Sequence, residues 1–266
     1  MDPEFREAAA MIRAARRLLV FTGAGVSAES GIPTFRDADG FWNEFPPEEF
    51  AHWRGLLSVA SKRPKDLARF LHAVIEPVAA ARPNAAHHAI AEASDRFGIT
   101  VVTQNIDGLH QEAGSSVVHE VHGTLMATAH ESGRLHSQLT RADLRRVAAR
   151  LERAGKGVRT LPRILWAVRP LAGFGIRGAY RPKVVLFNDA MAEPDWSRAQ
   201  QAAERADCVL QIGCSNAVYP AALLPNIAKD NGASVIAVDP NFAAADIWLR
   251  GTATDLVPNL LREATQ

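Results

Sequence analysis

The chain has 266 residues, of which 47% are hydrophobic and 22% charged, with a formal net charge of +1. This length suits one large α/β domain, or a large domain with a smaller insert, and it is sufficient for a buried core. A net charge near zero gives no electrostatic reason to expect nucleic-acid binding, and two cysteines (Cys208 and Cys214) are too few for a thiolate zinc site or a disulfide-stapled secreted fold.

The amino-terminal residues do not resemble a secretion signal. Residues 1–6 are acidic and polar, whereas a signal peptide begins with basic residues and continues into an apolar core. No apolar run approaches the ~20 residues that span a bilayer. We therefore expect a soluble, cytoplasmic protein with no membrane partner.

Nearly continuous apolar runs predict five strands, with helical patterns between them. Such runs are typical of buried parallel strands, because both faces of their sheet are covered. The predicted strands are Leu18–Phe21, Ile99–Val102, Lys183–Phe187, Cys208–Ile212 and Ser234–Val238. The predicted helices are Glu7–Arg17, Ala85–Phe97, Trp196–Arg205 and Ala221–Asn231. This alternation predicts βαβ units in an α/β fold, with helices on both faces of a parallel sheet.

Two stretches interrupt the alternation. One contains Pro46-Pro47 and a helical pattern from Asp66 to Ile75; the other is rich in Arg, Ala and Gly, with a helical pattern from Arg141 to Arg153. We expect these stretches, 44–78 and 125–182, to form a smaller inserted domain. The larger domain then consists of residues 6–43, 79–124 and 183–266.

Gly23-Ala24-Gly25-Val26-Ser27 directly follows the first strand. Glycines at a strand end let the backbone approach a pyrophosphate, while the next helix offers its N–H groups, although a plain tight turn explains the pattern equally well. A hydride-transfer enzyme would place a second strand and an acidic residue about 20 residues on. Here residues 31–40 have the composition of a loop. Phe35 and Arg36 suggest a flap over a dinucleotide; alternatively, Arg36 forms a surface ion pair with a neighbouring Asp.

A polar cluster, Thr103-Gln104-Asn105-Ile106-Asp107-Gly108, follows the strand 99–102. Ligands of open α/β sheets bind beyond the carboxyl ends of the strands, and these amides and the carboxylate suit ribose hydroxyls and a carboxamide. The alternative is turn chemistry, with Asp107 capping the next helix. Further on, His122 ends a short strand-like run before Gly123, a position where a neutral imidazole can serve as a general base.

These motifs together resemble the sirtuins, the Sir2-type NAD-dependent protein deacylases. The matching segments appear in the family's order over most of the chain: Gly23–Arg36, Thr103–Asp107, His122-Gly123 and Gly213–Pro220. The resemblance implies a Rossmann-like NAD-binding domain, a smaller domain, and NAD as co-substrate. It implies His122 and Asn105 as catalytic residues. The NAD-binding positions implied are Gly23, Ala24, Gly25, Ser27, Phe35, Arg36, Gln104, Asn105, Ile106, Asp107, Gly213, Ser215, Asn216, Asp239 and Ala253. The implied substrate-binding positions are Phe187, Asn188, Val218 and Tyr219.

The activity implied by this resemblance is transfer of an acyl group to ADP-ribose. The amide oxygen of an acylated amine attacks the ribose carbon as nicotinamide leaves, and His122 then activates a ribose hydroxyl. The products are free amine, nicotinamide and O-acyl-ADP-ribose. Two alternatives stay open: an ADP-ribosyltransferase or NAD glycohydrolase on the same scaffold, and a non-catalytic NAD or ADP-ribose sensor. The retention of His122, Asn105 and Asp107 argues against the sensor, because binding alone does not need a base.

The sequence departs from the family in its smaller domain. Most sirtuins hold a structural zinc on four cysteines after the His-Gly motif, but no Cys occurs from Thr128 to Tyr180. His130, His136 and Glu131 are too few for a tetrahedral site. We therefore expect a zinc-free domain, with no metal site, in which Leu161, Ile164, Leu165 and Trp166 supply apolar packing instead.

The substrate side departs as well. Phe187-Asn188-Asp189 stands where the family has Phe-Gly-Glu, and loss of the glycine restricts close backbone approach. Leu71 and Val74 occupy the positions where desuccinylating members carry Tyr and Arg. A neutral acyl group, acetyl above all, is therefore expected, on protein lysine or on a small-molecule amine. Cys214 stands where the family commonly has Thr, and we expect it to be structural rather than a reactive thiol.

Overall fold

The computed structural model describes residues 3–34, 41–130, 132–156, 159–175 and 178–266. Its strands are β1 (Arg17–Thr22), β2 (Gly98–Thr103), β3 (Val118–Glu120), β4 (Gly123–His130), β5 (Leu135–Gln138), β6 (Gly173–Gly175), β7 (Gly178–Val184), β8 (Cys208–Ile212), β9 (Ser234–Val238) and β10 (Ile247–Leu249). Its α-helices are α1 (Pro3–Ala14), α2 (Phe41–Glu44), α3 (Pro47–Phe50), α4 (Trp53–Lys62), α5 (Pro64–Ala80), α6 (Ala85–Ala93), α7 (Leu109–Ala113), α8 (Arg141–Gly155), α9 (Thr160–Val168), α10 (Asp195–Arg205), α11 (Leu224–Asp230) and α12 (Ala253–Thr265). Two 3₁₀ helices span Ala24–Ser30 and Ala221–Leu223.

The chain divides into two compact units. The first comprises residues 1–30, 82–122 and 191–266, and the second comprises residues 31–81 and 123–190. This division differs from the expected domain boundaries at the described residues 31–34, 41–43, 79–81, 123–124 and 183–190, which group with the second unit. No helix in the described parts of the chain combines the length and the apolar composition needed to cross a membrane.

The first unit is built on a six-stranded sheet in the order β10-β9-β8-β1-β2-β3, and every neighbouring pair is parallel. The predicted α/β fold with a parallel sheet is confirmed. Side chains alternate between its two faces. Leu18 and Val20 of β1 pack towards α1, α6 and α12, whereas Leu19 and Phe21 pack towards α10 and α11. Because both faces are covered, the central strands have almost no polar residues.

The strand predicted at Lys183–Phe187 is wrong as a member of this sheet. Residues 180–184 instead belong to β7, which pairs antiparallel with β4 in a separate four-stranded sheet of the second unit, in the order β5-β4-β7-β6. The apolar run 184–187 is only half-buried or exposed. It therefore imitates a buried strand by composition without being covered on both sides.

The rest of the second unit is helical. Helix α8 packs against α5 and α9, and an aromatic cluster of Phe41, Phe45, Phe50 and Phe70 lies near the start of this bundle. The predicted packing by residues 161–166 is partly wrong. Ile164 is buried, but Leu165 and Trp166 of the same helix are 62% and 54% exposed.

Candidate active site

The end of β1 meets the end of β8 in a close crossing of three glycines. The Gly25 N–H donates to the carbonyl oxygen of Gly213 at 3.1 Å, and the Gly23 N–H donates to that of Ile212 at 3.1 Å. A Cβ on Gly213 would lie 2.5 Å from Gly25 Cα, and Gly213 has φ +58°. Side chains at these positions would push the two strand ends apart, so the glycines keep bare backbone at the carboxyl edge of the sheet.

A 3₁₀ helix, Ala24–Ser30, follows this crossing and contains the predicted positions Ala24, Gly25 and Ser27. It is fixed to α6 by Asn84, which caps α6 and whose Nδ2 donates to the carbonyl oxygen of Val26 at 2.8 Å and to Ser30 Oγ at 3.0 Å. It is fixed to α12 by Glu29, which accepts from the backbone N–H and hydroxyl of Thr254. Two helices thus set the position of the glycine loop.

The predicted polar cluster after β2 is tied to this loop through buried Ser27. Asn105 Nδ2 donates to the carbonyl oxygen of Gly23 at 3.0 Å and to Ser27 Oγ at 3.1 Å, and Ser27 Oγ donates to Asp107 Oδ2 at 2.8 Å. The other Asp107 oxygen accepts from the Leu109 N–H at 2.9 Å, at the start of α7. Gly108 is the N-cap residue of α7, and Asp107, one residue before it, accepts from the first N–H of the helix while it also bonds Ser27, so the two interpretations of the motif are not exclusive. Ile106 is half-buried between the two polar residues.

His122 lies just beyond β3, next to the same loop. Its Nδ1 is 3.0 Å from the carbonyl oxygen of Gln104. A carbonyl only accepts, so Nδ1 carries the proton and Nε2 holds the lone pair. Burial lowers the pKa of His122 from its ordinary 6.5, while the hydrogen bond to Gln104 opposes part of that shift. The imidazole is thus neutral at pH 7, with its basic nitrogen on the side away from Gln104.

The loop after β8 carries the predicted residues Gly213, Ser215, Asn216, Val218 and Tyr219. Asn216 has φ +54°, and its buried Oδ1 has no hydrogen-bond partner among the described residues. A buried amide oxygen without a partner indicates a ligand or water that the protein does not itself supply. Ser215 and Tyr219 are exposed and Val218 is half-buried.

Cys214 points away from this surface. Its thiol lies 3.5 Å and 3.4 Å from the carbonyl oxygens of Phe21 and Ile212, and Gln104 Nε2 approaches its sulfur at 3.8 Å. Burial raises the pKa of the other cysteine, Cys208, to about 12. Both thiols are buried, which accords with structural roles.

Asp239 and Ala253 lie beyond the next strands of the same unit. Asp239 follows β9, and its Oδ1 accepts from the Asn241 N–H at 2.8 Å. Ala253 is the buried first residue of α12. The predicted positions Phe35 and Arg36 lie outside the described residues.

The predicted substrate positions Phe187 and Asn188 belong to the second unit. Asn188 has φ +69°, a left-handed conformation that Asn tolerates better than most residues. It sits in a turn in which the Asp189 N–H donates to the carbonyl oxygen of Leu186, and Trp53 Nε1 donates to Asp189 Oδ2 at 3.1 Å. The absence of glycine at position 188 therefore restricts close backbone approach less than expected, because Asn188 keeps the left-handed backbone conformation that a glycine there would adopt. Phe187 is 46% exposed.

The second unit does not offer a tetrahedral zinc site among its described residues. His130 Nε2 and His136 Nδ1 are 3.3 Å apart, the other His130 nitrogen meets the carbonyl oxygen of Ala179 at 3.1 Å, and the His136 ring stacks on Tyr180 at 3.8 Å. No group of three or more His, Cys, Asp or Glu side chains placed to hold a metal occurs in the described parts of the chain. Two imidazoles without thiolates do not fit a structural zinc, and the zinc-free domain stays a prediction.

Sequence reasoning missed a buried histidine pair beneath the glycine loop. His110 Nε2 is 3.1 Å from the Thr22 hydroxyl at the end of β1, and its ring lies 4.8 Å from that of His87. Burial lowers the pKa of His87 to about 4 and that of His110 to about 3, so both are neutral. The two histidines are far apart in sequence. The only sequence signal for them is their position: His87 follows the predicted helix start at Ala85, and His110 follows the motif 103–108.

Comparison with known proteins identifies the family. A model described as "Sir2 family" matches residues 23–220. The chain belongs to the Sir2 family. It is 36% identical over 263 residues to an NAD-dependent protein deacylase of Pyrococcus abyssi, covering 97% of this chain and 96% of that protein. It is 39% identical over 252 residues to an NAD-dependent protein deacylase of Pyrococcus furiosus, covering 92% of each.

Solved Sir2 structures share the fold over the whole chain. A Sir2 homologue mutant in complex with ADP-ribose superposes with a TM-score of 0.78 at 32% identity, covering 100% of this chain and 97% of that one. A Sir2 homologue in complex with NAD gives 0.75 at 33% identity, covering 100% and 94%. The resemblance inferred from four sequence motifs is thus confirmed, and the NAD-binding fold of the family is present.

Proposed function

We propose that this Sir2-family chain is an NAD-dependent protein deacylase that removes a neutral acyl group, acetyl above all, from lysine. It would release nicotinamide and O-acyl-ADP-ribose. Its relatives of 36% and 39% identity carry the name NAD-dependent protein deacylase and match nearly their whole length. The single observation that carries the proposal is the state of His122.

His122 has the properties of a general base. The Gln104 carbonyl fixes the proton on Nδ1, which leaves Nε2 unprotonated and able to accept a proton from a ribose hydroxyl. Burial keeps the imidazole neutral, because a charged ring would lose its solvation. A protein that only binds a nucleotide has no need of a base prepared in this way.

The groups around His122 fit a dinucleotide. The glycines let the ends of β1 and β8 approach closely, which forms a strand–glycine–helix turn of the kind that binds a pyrophosphate. Asn216 Oδ1 is a buried acceptor without a hydrogen-bond partner among the described residues, and it could accept from a ribose hydroxyl. When bound, NAD supplies the ribose carbon from which nicotinamide departs. Asn105 and Asp107, locked through Ser27, hold the rim of that site rigid, so little ordering is left to occur on binding.

The expected neutrality of the acyl group rests on α5. Leu71 and Val74 of this helix are half-buried and apolar, so neither offers a charged partner to a carboxylate at the end of an acyl chain. The family resemblance implies that the acyl group contacts these two positions, where a succinyl or malonyl carboxylate would lose its solvation without a cationic partner. An acetylated small-molecule amine is the alternative substrate, which the following assay distinguishes.

The test is product analysis by mass spectrometry. The protein is incubated with NAD and a panel of acetylated, succinylated and malonylated peptides, together with acetylated small amines. We expect O-acetyl-ADP-ribose, nicotinamide and free lysine peptide in equal amounts, with acetyl preferred. ADP-ribose without deacylated amine, or ADP-ribose attached to protein, would instead establish a glycohydrolase or transferase.

Two histidine variants separate the base from a general effect of losing an imidazole. His122→Ala should lower deacylation by at least ~10²-fold, the range that general-base catalysis contributes. His119→Ala is the matched control, because His119 lies three residues away and contacts Asp195 at 3.4 Å rather than Gln104. Equal loss in both variants would contradict the role given to His122.

A further inference from the structure

The near-zero net charge of the chain conceals a strong segregation of charge. Residues 123–190 contain 13 Arg or Lys and only four Asp or Glu, a formal charge of +9. The remainder of the chain therefore carries −8. The distribution of charge over the surface, rather than the net charge of the chain, decides whether a protein binds a polyanion. A net charge near zero therefore does not by itself exclude binding of a nucleic acid.

The structure concentrates much of this excess on two neighbouring helices. Helices α8 and α9 pack against each other and bury their apolar faces, including Leu144, Leu151 and Ile164. Besides Arg146, four exposed or half-buried arginines lie on these helices, and two more flank α9 at its ends. We call these six residues the arginine surface: Arg145, Arg150, Arg153, Arg159, Arg163 and Arg169. All of them are exposed except Arg150, which is half-buried. These cations thus lie on two packed helices, or directly at the ends of one of them, within one unit.

The carboxylates of α8 are already engaged. Asp143 accepts from the backbone N–H of Thr140 and pairs with Arg146, and Glu152 pairs with Lys156 at 2.6 Å. Within the described part of the chain, the guanidinium groups of Arg145, Arg153, Arg159, Arg163 and Arg169 have neither an ion pair nor a hydrogen bond. So many unpaired like charges repel one another, and an anionic partner would relieve that repulsion.

An exposed indole lies within this surface. Trp166 is 54% exposed, and the guanidinium carbon of Arg150 lies 4.3 Å from its ring centroid, so the two helices meet in an arginine–aromatic stack. Guanidinium forks match phosphate oxygens, and an exposed aromatic ring can stack on a base. Arg145 and Arg153 are eight residues apart, about 12 Å along α8, which is comparable to the axial rise of roughly three to four nucleotides in a duplex at 3.4 Å each.

We propose that the arginine surface binds the phosphodiester backbone of a nucleic acid. A phospholipid surface is disfavoured because the apolar faces of both helices are buried in the protein, which leaves only Leu165 and Trp166 to enter a bilayer. An acidic protein would meet the same charges but has no regular spacing of phosphates. The proposal does not depend on the deacylase activity.

The experiment measures fluorescence anisotropy of a labelled 30-nucleotide single strand and of a 30-base-pair duplex with the full chain, from 50 to 300 mM salt. We expect log K to fall linearly with log salt, with a slope of about −2 to −4 for the single strand, which corresponds to roughly three to five phosphates. Trp166→Ala should weaken binding of the single strand more than binding of the duplex. The two probes thereby show which form is preferred.

Two triple variants decide whether location or net charge matters. Arg145→Glu, Arg153→Glu and Arg163→Glu together should weaken binding at least tenfold and lower the slope by about 2. The matched control replaces Arg198, Arg205 and Arg262, exposed residues of α10 and α12, by Glu, with the same change in net charge. It should change binding less than twofold. If either triple Glu variant fails to fold, the same three arginines are replaced by Gln and the comparison is repeated.

Three results would overturn the proposal: no salt-dependent binding of either oligonucleotide at 50 mM salt, equal loss in both triple variants, or tighter binding to phosphatidylserine vesicles or to polyglutamate than to the oligonucleotides. Deacylation of a short acetylated peptide should be unchanged in the arginine-surface variant. That readout keeps a failure of this proposal distinct from a failure of the proposed activity.

Discussion

The buried histidine pair under the glycine loop should make the stability of this protein depend on pH in a range where carboxylates still contribute little. Burial lowers the pKa of His87 to about 4 and that of His110 to about 3, whereas both titrate near 6.5 in the unfolded chain. Below pH 6.5 the unfolded chain therefore binds protons that the folded chain does not. Stability falls as the pH falls from 6.5 and levels off only below pH 4 to 3.

The magnitude follows from the size of these shifts. Each histidine contributes up to ~1.4 kcal/mol for each pH unit within its window, so the pair should cost about 3–4 kcal/mol between pH 7 and pH 5. That is a large share of the ~5–15 kcal/mol by which a domain is usually stable.

The assay is urea denaturation followed by circular dichroism at pH 7, 6 and 5. His110→Gln should be less stable at pH 7, because it changes a fully buried contact, yet it should lose about half of the pH-dependent part. His88→Gln, on the exposed side of α6, is the matched control; it removes only the smaller, electrostatic cause of the lowered His87 pKa and should keep most of the wild-type dependence. An unfolding free energy that is equal at pH 7 and pH 5, or a slope that is unchanged in His110→Gln, would refute the reasoning.

Four further outcomes test the site and the second unit. Gly213→Ala should destabilise the protein by ~2 kcal/mol or more and raise KM for NAD, because a Cβ would lie 2.5 Å from Gly25 on a backbone of φ +58°; calorimetry and steady-state kinetics check this. Asn188→Gly should keep KM for an acetylated peptide within about threefold, whereas Asn188→Val should raise it about tenfold, since a β-branched residue resists φ +69°. The pH profile of kcat/KM should lose activity only below pH 6.5, since burial lowers the pKa of the base His122 and it must be neutral to act; a midpoint above 7 would contradict this. Stoichiometric zinc in the purified protein, or loss of folding with a chelator, would contradict the predicted zinc-free domain.

The parallel sheet could be predicted because its signal is local. A strand covered on both faces is apolar at successive positions, as β1, β8 and β9 are, and no distant information is needed to recognise it. The same reasoning failed at residues 183–187, where a similarly apolar run begins in the last two residues of β7 and continues beyond it, half-buried or exposed. Composition describes a segment but not what covers it.

The residues of the site likewise divide into features that the sequence shows and features that only the structure shows. The glycine loop, the polar cluster after β2 and His122 are visible in the sequence, because each follows a predicted strand and carries unusual residue types. The tautomer of His122, the Ser27 link between Asn105 and Asp107, and the left-handed Asn188 are not visible. Each depends on an atom contributed by a residue distant in sequence or on a backbone angle set by its surroundings.

The sequence by itself determined the family, the parallel sheet and the identity of the residues at its carboxyl edge, since strand patterns and contiguous motifs are properties of short segments. Tertiary structure decided what those residues can do. The pKa of His110, for example, depends on its burial next to Thr22, which lies 88 positions earlier in the chain. The arginine surface likewise depends on the packing of α8 against α9, which brings arginines of both helices together in a chain whose net charge is only +1.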